Sequence, residues 1–150
     1  MMFKYKNDTI EDILMFDYQL AYFGSPGVDL NYLLSGSIQT EIGEGRKLQA
    51  IQSYHTILTK TLNDLRFTGK TPSLQDIHIE IIRTGFQSVH AVFCLLPLAM
   101  MENAAEAEMD VFLAENGAGK VFRQRIFQNP RYGPILRREL KRFDLMGYLD

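Results

Sequence analysis

The stretch DILMFDYQLAYFGSPGVDL, residues 12–30, runs Ile13, Leu14, Met15 and Phe16 directly into Asp17, and a second carboxylate, Asp29, returns twelve residues later. Large apolar residues in succession mark a segment heading into a core. A charged carboxylate at the end of such a run is costly unless a cation, a metal or a raised pKa compensates it. On these residues alone two readings stand: Asp17 holds a positive partner, or it ends a strand.

Upstream, MFKYKNDTIEDILMFDY reads as a β-hairpin. Phe3 and Tyr5 alternate with Lys4 and Lys6, Asn7-Asp8 supplies turn chemistry, and residues 12–17 form the second strand. That strand does not alternate, so it is expected to be covered on both faces. A lone hairpin is marginal in water and needs helices beneath it or further chain above it.

Downstream of residue 25 the pattern is helical. Ser25 caps and Pro26 suits the first turn, followed by Val28, Leu30, Tyr32, Leu33 and Leu34. SIQTEIGEG is a linker. Leu48, Ile51, Tyr54, His55, Leu58, Leu62 and Leu65 then keep helical spacing through one long helix that FTGKTP breaks. Ser73 and Asp76 form a capping box, and Ile77, Ile81 and Ile82 are expected to point inward. Gly85 separates this helix from a largely buried one, Val89 to Met101, bent near Pro97. ENAAEAEMDVFLAEN reads as a further helix stopped by Asn116-Gly117. GKVFRQRIFQNP and YGPILRRELKRFDLMGYL close the chain as two more. The fold class is mainly α with a short N-terminal β-hairpin (α+β): a hairpin over 1–18 and about seven helices over 25–150, in one domain.

The bulk properties narrow the function. The chain has 150 residues, 46% hydrophobic and 23% charged, with a net charge of −2, which is ordinary for a globular domain and gives no reason to expect nucleic acid. Residues 118–150 are locally basic, with 8 Lys or Arg against 3 Asp or Glu. However, Arg137, Arg138, Lys141 and Arg142 interleave with Ile135, Leu136, Leu140, Phe143 and Leu145, as on the solvated face of an amphipathic helix. The apolar run 91–101 is too short for a membrane span and holds a proline. Cys94, the only cysteine, lies in that run as a buried thiol, which fits a reducing compartment and a cytoplasmic location.

Several site types fail. AENGAGKVF holds a Gly-Lys pair, but a phosphate-binding loop needs glycine where Ala114 stands and Ser or Thr where Val121 stands. It reads as a helix stop. His55, His78 and His90 show no ligand spacing on one helix face, so a zinc site is not expected. No serine sits in a nucleophile elbow.

Taken together, FDYQLAYFGSPGVDLNYLL resembles the ecdysteroid kinase-like (CHK kinase-like) family of insects, within the choline kinase and aminoglycoside phosphotransferase superfamily. The family's usual wording is Asp-Phe-Gln, then Ser-Pro, then Asp-Leu. Here Tyr18 stands where Phe is usual. The tail NPRYGPILRRELKRFDLMGYLD also fits, and the resemblance is strong over 12–34 and diffuse through the helices. It implies the C-terminal lobe of a protein kinase-like fold. Asp17 would bind the Mg²⁺ that bridges ATP phosphates. Asp29 would support the backbone of the catalytic loop, although a charge near a helix N-terminus explains it equally.

The resemblance further implies an ATP-dependent small-molecule kinase acting on an alcohol hydroxyl, such as that of an ecdysteroid or other sterol. Its acceptor pocket is expected among the helices of 73–115, where Phe86, Val89, Phe93 and Met100 either line it or pack the core. The family's catalytic loop, His-Gly-Asp followed by Asn, has no counterpart in residues 1–16. The catalytic base, that Asn and the N-lobe are therefore expected upstream of residue 1. The 150 residues alone would then be inactive, bind Mg²⁺ and ATP only weakly, and self-associate through surface normally covered. The alternative is a non-catalytic helical interaction or regulatory domain derived from such a kinase.

Overall fold

The computed structural model describes residues 2–16, 18, 21–36, 44–103 and 106–150. Strand β1 (Met2–Lys6) pairs antiparallel with β2 (Thr9–Leu14). Seven helices follow among the described residues: α1 (Pro26–Gly36), α2 (Glu44–Asp64), α3 (Leu74–Arg83), α4 (Phe86–Ala99), α5 (Met109–Leu113), α6 (Gly117–Phe127) and α7 (Tyr132–Leu145). No single helix among the described residues is long and apolar enough to cross a membrane.

Asn7 and Asp8 form the two-residue turn with φ of 50° and 60°, the left-handed pair that matches the twist of a tight hairpin. The register steps between Lys4↔Asp12 and Tyr5↔Ile10, leaving Glu11 as a bulged residue. Its carboxylate reaches Lys4 at 2.8 Å and Lys6 at 3.7 Å. Phe3 opposite Ile13 and Tyr5 opposite Ile10 line one face. Both strands are exposed along their whole length, contrary to the expectation of cover on both faces. The strand ends at Leu14, so Met15 and Phe16 lie beyond it. Within the true strand the bulge brings Ile10 and Ile13 onto one face and leaves Leu14 on the other, and both faces are exposed.

Helix α4 carries the centre of the molecule. It leaves α3 through the Thr84–Gly85 turn at a bend of 58°. Its middle, Ala91–Leu95, is a π-turn in which the Leu96 amide donates to the Ala91 carbonyl. In that register residue 97 would serve the Val92 carbonyl, but Pro97 has no N–H. The Tyr132 hydroxyl donates to Val92 O instead, at 3.0 Å. Tyr132 is fully buried, and burial, with Cys94 nearby, pushes its pKa up to about 12.

Three apolar clusters pack around this axis. Leu30, Leu34, Ile51 and Ile77 join α1, α2 and α3; Leu98, Phe112, Phe122 and Ile126 join α4, α5 and α6; Leu96, Tyr132 and Ile135 join α4 to α7. Ile82 is exposed rather than inward, as are Leu48 and Leu65 of the long-helix pattern. The linker assigned to 37–45 lies mostly outside the described residues, and Glu44–Gly45 already belong to α2.

The segment around residues 102–116 departs furthest from expectation. Among its described residues only Met109–Leu113 is α-helical, and Asn116 starts a helix instead of stopping one. Its Oδ1 accepts from the Gly119 amide at 2.9 Å, and Arg123 Nη1 takes up the Phe112 and Ala114 carbonyls at 2.5 and 2.8 Å. An Asn-Gly pair serves either helix end, and the buried approach of Gly119 to the Ala114 carbonyl selects the start.

Candidate functional site

The site is built on the way out of the hairpin and onto α1. Phe16 and Tyr18 are both exposed, and the Ala21 amide donates to Tyr18 O at 2.9 Å. Asp17 lies outside the described residues. Ser25 opens α1 as expected, its Oγ accepting from the Gly27 amide at 3.1 Å. Asp29 sits in the first turn of α1 with its carboxylate exposed. Its charge adds to burial, the larger cause, in raising the pKa of Tyr54 on α2.

Helix α1 is held in place by two devices. Gly27 packs so closely on the Glu80 carbonyl and Thr84 Oγ1 that any Cβ would collide. The buried Asn31 donates through Nδ2 to Ile81 O at 2.9 Å and to Thr84 Oγ1 at 3.0 Å, and accepts from Ser88 Oγ at 2.8 Å. All the side-chain capacity of a buried amide except one lone pair is thereby used, so its burial is compensated. The first turn of α1, and Asp29 with it, is fixed against the α3–α4 corner.

The residues proposed for an acceptor pocket line neither of the two clefts described below. Met100 packs beside Leu96, Tyr132 and Ile135 as core. Val89 and Phe93 are half-buried, while Phe86 is 66% exposed. A cleft of about 510 Å³ lies elsewhere, lined by Met101, Glu102, Asn103 and Glu106 on one side and by residues such as Arg125, Asn129 and Arg131 on the other, with the Glu106–Arg125 ion pair at 2.8 Å in its wall. Another of about 450 Å³ is lined by Val111, Gly117, Ala118, Val121, Phe122 and Arg125.

Among the described residues no three His, Cys, Asp or Glu side chains gather as a metal site. His55 Nε2 lies 3.0 Å from Pro72 O, and His90 Nδ1 lies 2.9 Å from Tyr32 Oη.

One charge cluster escapes a reading of the sequence. Glu139 on α7 is buried and accepts from Arg138 at 2.7 Å and Arg142 at 2.7 Å, with Lys47 of α2 at 4.0 Å. The basic face of α7 is thus partly turned inward rather than wholly solvated. Burial pulls the Glu139 carboxyl upward, and the Arg138 and Arg142 hydrogen bonds with Lys47's charge more than reverse it, leaving its pKa below the ordinary value. The available signal was position: Glu139 occupies the apolar stripe between Ile135 and Phe143.

With this geometry in hand, comparison with known proteins gives one family. A model described as the ecdysteroid kinase-like family matches residues 1–67, which span the hairpin, Asp17, Asp29, α1 and α2. No curated protein and no solved structure matches the chain.

Proposed function

We propose that this chain, whose residues 1–67 match the ecdysteroid kinase-like family, forms the metal-gripping and helical part of an ATP-dependent small-molecule kinase. The observation that carries the reading is that family match, because it takes in Asp17, the Ser25–Pro26 helix start and Asp29 in order. The acceptor is a hydroxyl-bearing small molecule, an ecdysteroid or related sterol.

In such a reaction the protein contributes positioning and electrostatics rather than covalent chemistry. Bound Mg²⁺ would neutralise charge on the nucleotide phosphates, and as a hard cation it prefers carboxylate oxygen such as that of Asp17. Asp29 offers open acceptor lone pairs from a helix turn anchored by Gly27 and Asn31, which suits a residue that braces backbone amides of a neighbouring loop. The 150 residues hold no His-Gly-Asp followed by Asn, so no turnover is expected from them alone.

Two measurements test this. In a full-length protein containing this segment, Asp17→Ala should weaken Mg·ATP binding measured by calorimetry, and unchanged binding removes the metal role. A coupled ADP-release assay on the 150-residue chain with ecdysteroids should show no turnover. Turnover abolished by Asp17→Ala would mean that these residues suffice.

A second reading, a non-catalytic interaction domain, draws on the exposed apolar face of Phe3, Tyr5, Ile10 and Ile13. It predicts concentration-dependent self-association by sedimentation that Tyr5→Lys reduces. A monomer at every concentration rules out the self-associating form.

A further inference from the structure

The cleft of about 510 Å³ beside the α6–α7 turn has the volume of a small-molecule site, about 300–1,000 Å³. One wall is the chain that follows α4, and the other is the end of α6 with the turn into α7. Side chains tie the two walls together. Asn129 Nδ2 donates to Met100 O at 3.0 Å, while its Oδ1 accepts from the Arg131 amide at 2.9 Å. Glu106, held by Asn103 Nδ2 at 2.9 Å, reaches Arg125 on α6 at 2.8 Å. The opening is therefore fixed by the fold before anything enters it, which lowers the entropy lost on binding.

The charged side chains that line this cleft are not equivalent. Glu106 and Arg125 neutralise each other. Glu102 and Arg131 do not pair with one another, and the Glu102 carboxylate makes no hydrogen bond or ion pair among the described residues. The Arg131 guanidinium carries five N–H donors. Its contact with the protein is a single long one, Nη2 to Met100 O at 3.5 Å. The cleft thus offers an uncommitted anion on one wall and a nearly uncommitted cation on the other, over a lining that also holds Met101, Ile126 and Pro130. A ligand of one sign gains from only one of these charges. A molecule with both signs on an alkyl stem gains from both.

We propose that this cleft binds a small zwitterion of the amino-acid type. Its ammonium group meets Glu102, and its carboxylate takes the forked N–H groups of Arg131. Asn129 is the positioning residue, because it fixes the Arg131 backbone against Met100. The site lies within residues 101–131, outside the 1–67 match on which the kinase reading rests, and is independent of that reading.

The test titrates glycine, β-alanine, 4-aminobutyrate and 6-aminohexanoate, which grade the separation of the two charges, into the 150-residue chain. NMR of the arginine Nε–H and backbone amide signals is the readout. At least one member should shift the Arg131 Nε–H and the Glu102 amide saturably. Butyrate and butylamine, with one charge each, should bind about fivefold more weakly than 4-aminobutyrate. Glu102→Gln and Arg131→Gln should each weaken the best ligand about fivefold, the worth of one exposed ion pair. Arg131→Lys, which keeps the charge without the fork, should lose less. Both side chains are exposed, so unchanged melting temperatures separate lost binding from lost folding. No saturable shift with any of the amino acids, butyrate binding as tightly as 4-aminobutyrate, or full affinity in either Gln variant each overturns the proposal. The kinase reading is judged separately, by Mg·ATP binding in the full-length Asp17→Ala protein.

Discussion

Arg66 adopts φ 53°, a left-handed conformation that costs a residue with a Cβ. It does so because it closes α2: the Phe67 amide donates to Leu62 O at 2.9 Å and the Arg66 amide to Asn63 O at 3.0 Å. This paired closure ordinarily places glycine at that position. Arg66→Gly should therefore raise stability by about 0.5–1 kcal/mol, the relief of strain exceeding the added freedom of the unfolded chain. A thermal melt checks it, and a lowered melting temperature would contradict it. Tyr132 is the other residue whose role is local and measurable. Tyr132→Phe leaves the buried Val92 carbonyl without a donor and should cost about 1–3 kcal/mol in denaturant unfolding. Pro97→Ala restores an N–H near that carbonyl, so the cost of Tyr132→Phe should shrink in its presence. Strict additivity of the two changes would show that the proline does not create the need for the hydroxyl.

Among the elements, α7 ends as α2 does, with the Tyr148 amide on Phe143 O at 2.9 Å and the Gly147 amide on Asp144 O at 3.0 Å, but here Gly147 takes the left-handed position at φ 67°. Helix starts are equally local. The Ser73–Asp76 capping box was legible because both partners lie within one turn and their types are specific, and the structure shows both of its hydrogen bonds. The Asn116 cap was misread because the same Asn-Gly pair closes some helices and opens others. Its function as a start is testable: Asn116→Ala should cost about 1 kcal/mol, seen as a lower melting temperature with faster amide exchange at Gly119. An unaltered protein would mean that the cap adds nothing beyond the packing of Phe122 and Ile126.

At the scale of the whole molecule, Glu139 ties α7 to α2 through charge. Glu139→Ala leaves Arg142 and its neighbours without their carboxylate, and should cost toward the lower end of about 3–5 kcal/mol since Arg138 remains partly exposed. Because the folded-state pKa of Glu139 lies below its unfolded value, its contribution is fully present above the ordinary carboxylate pKa and is lost as pH falls through the folded value. Unfolding free energy measured from neutral pH downward should drop in acid, and Glu139→Gln should flatten part of that drop. Identical pH profiles would show that the carboxylate is not what couples the two helices.

The chain's own sequence determined what depends on near neighbours. The Asn7-Asp8 turn, the Ser25 and Ser73 helix starts and the helical stripes all act within a few residues, so order and residue type suffice to place them. Only the tertiary structure decided which apolar faces find cover and which polar groups find partners. At the π-turn of α4 the Tyr132 hydroxyl, from a helix distant in sequence, supplies the donor to Val92 O that Pro97 lacks. Glu139 goes inside because Lys47 and two arginines meet it there, and the hairpin face stays open because no described helix reaches it. Burial is a property of the space between elements, and periodicity along one element does not specify what stands opposite.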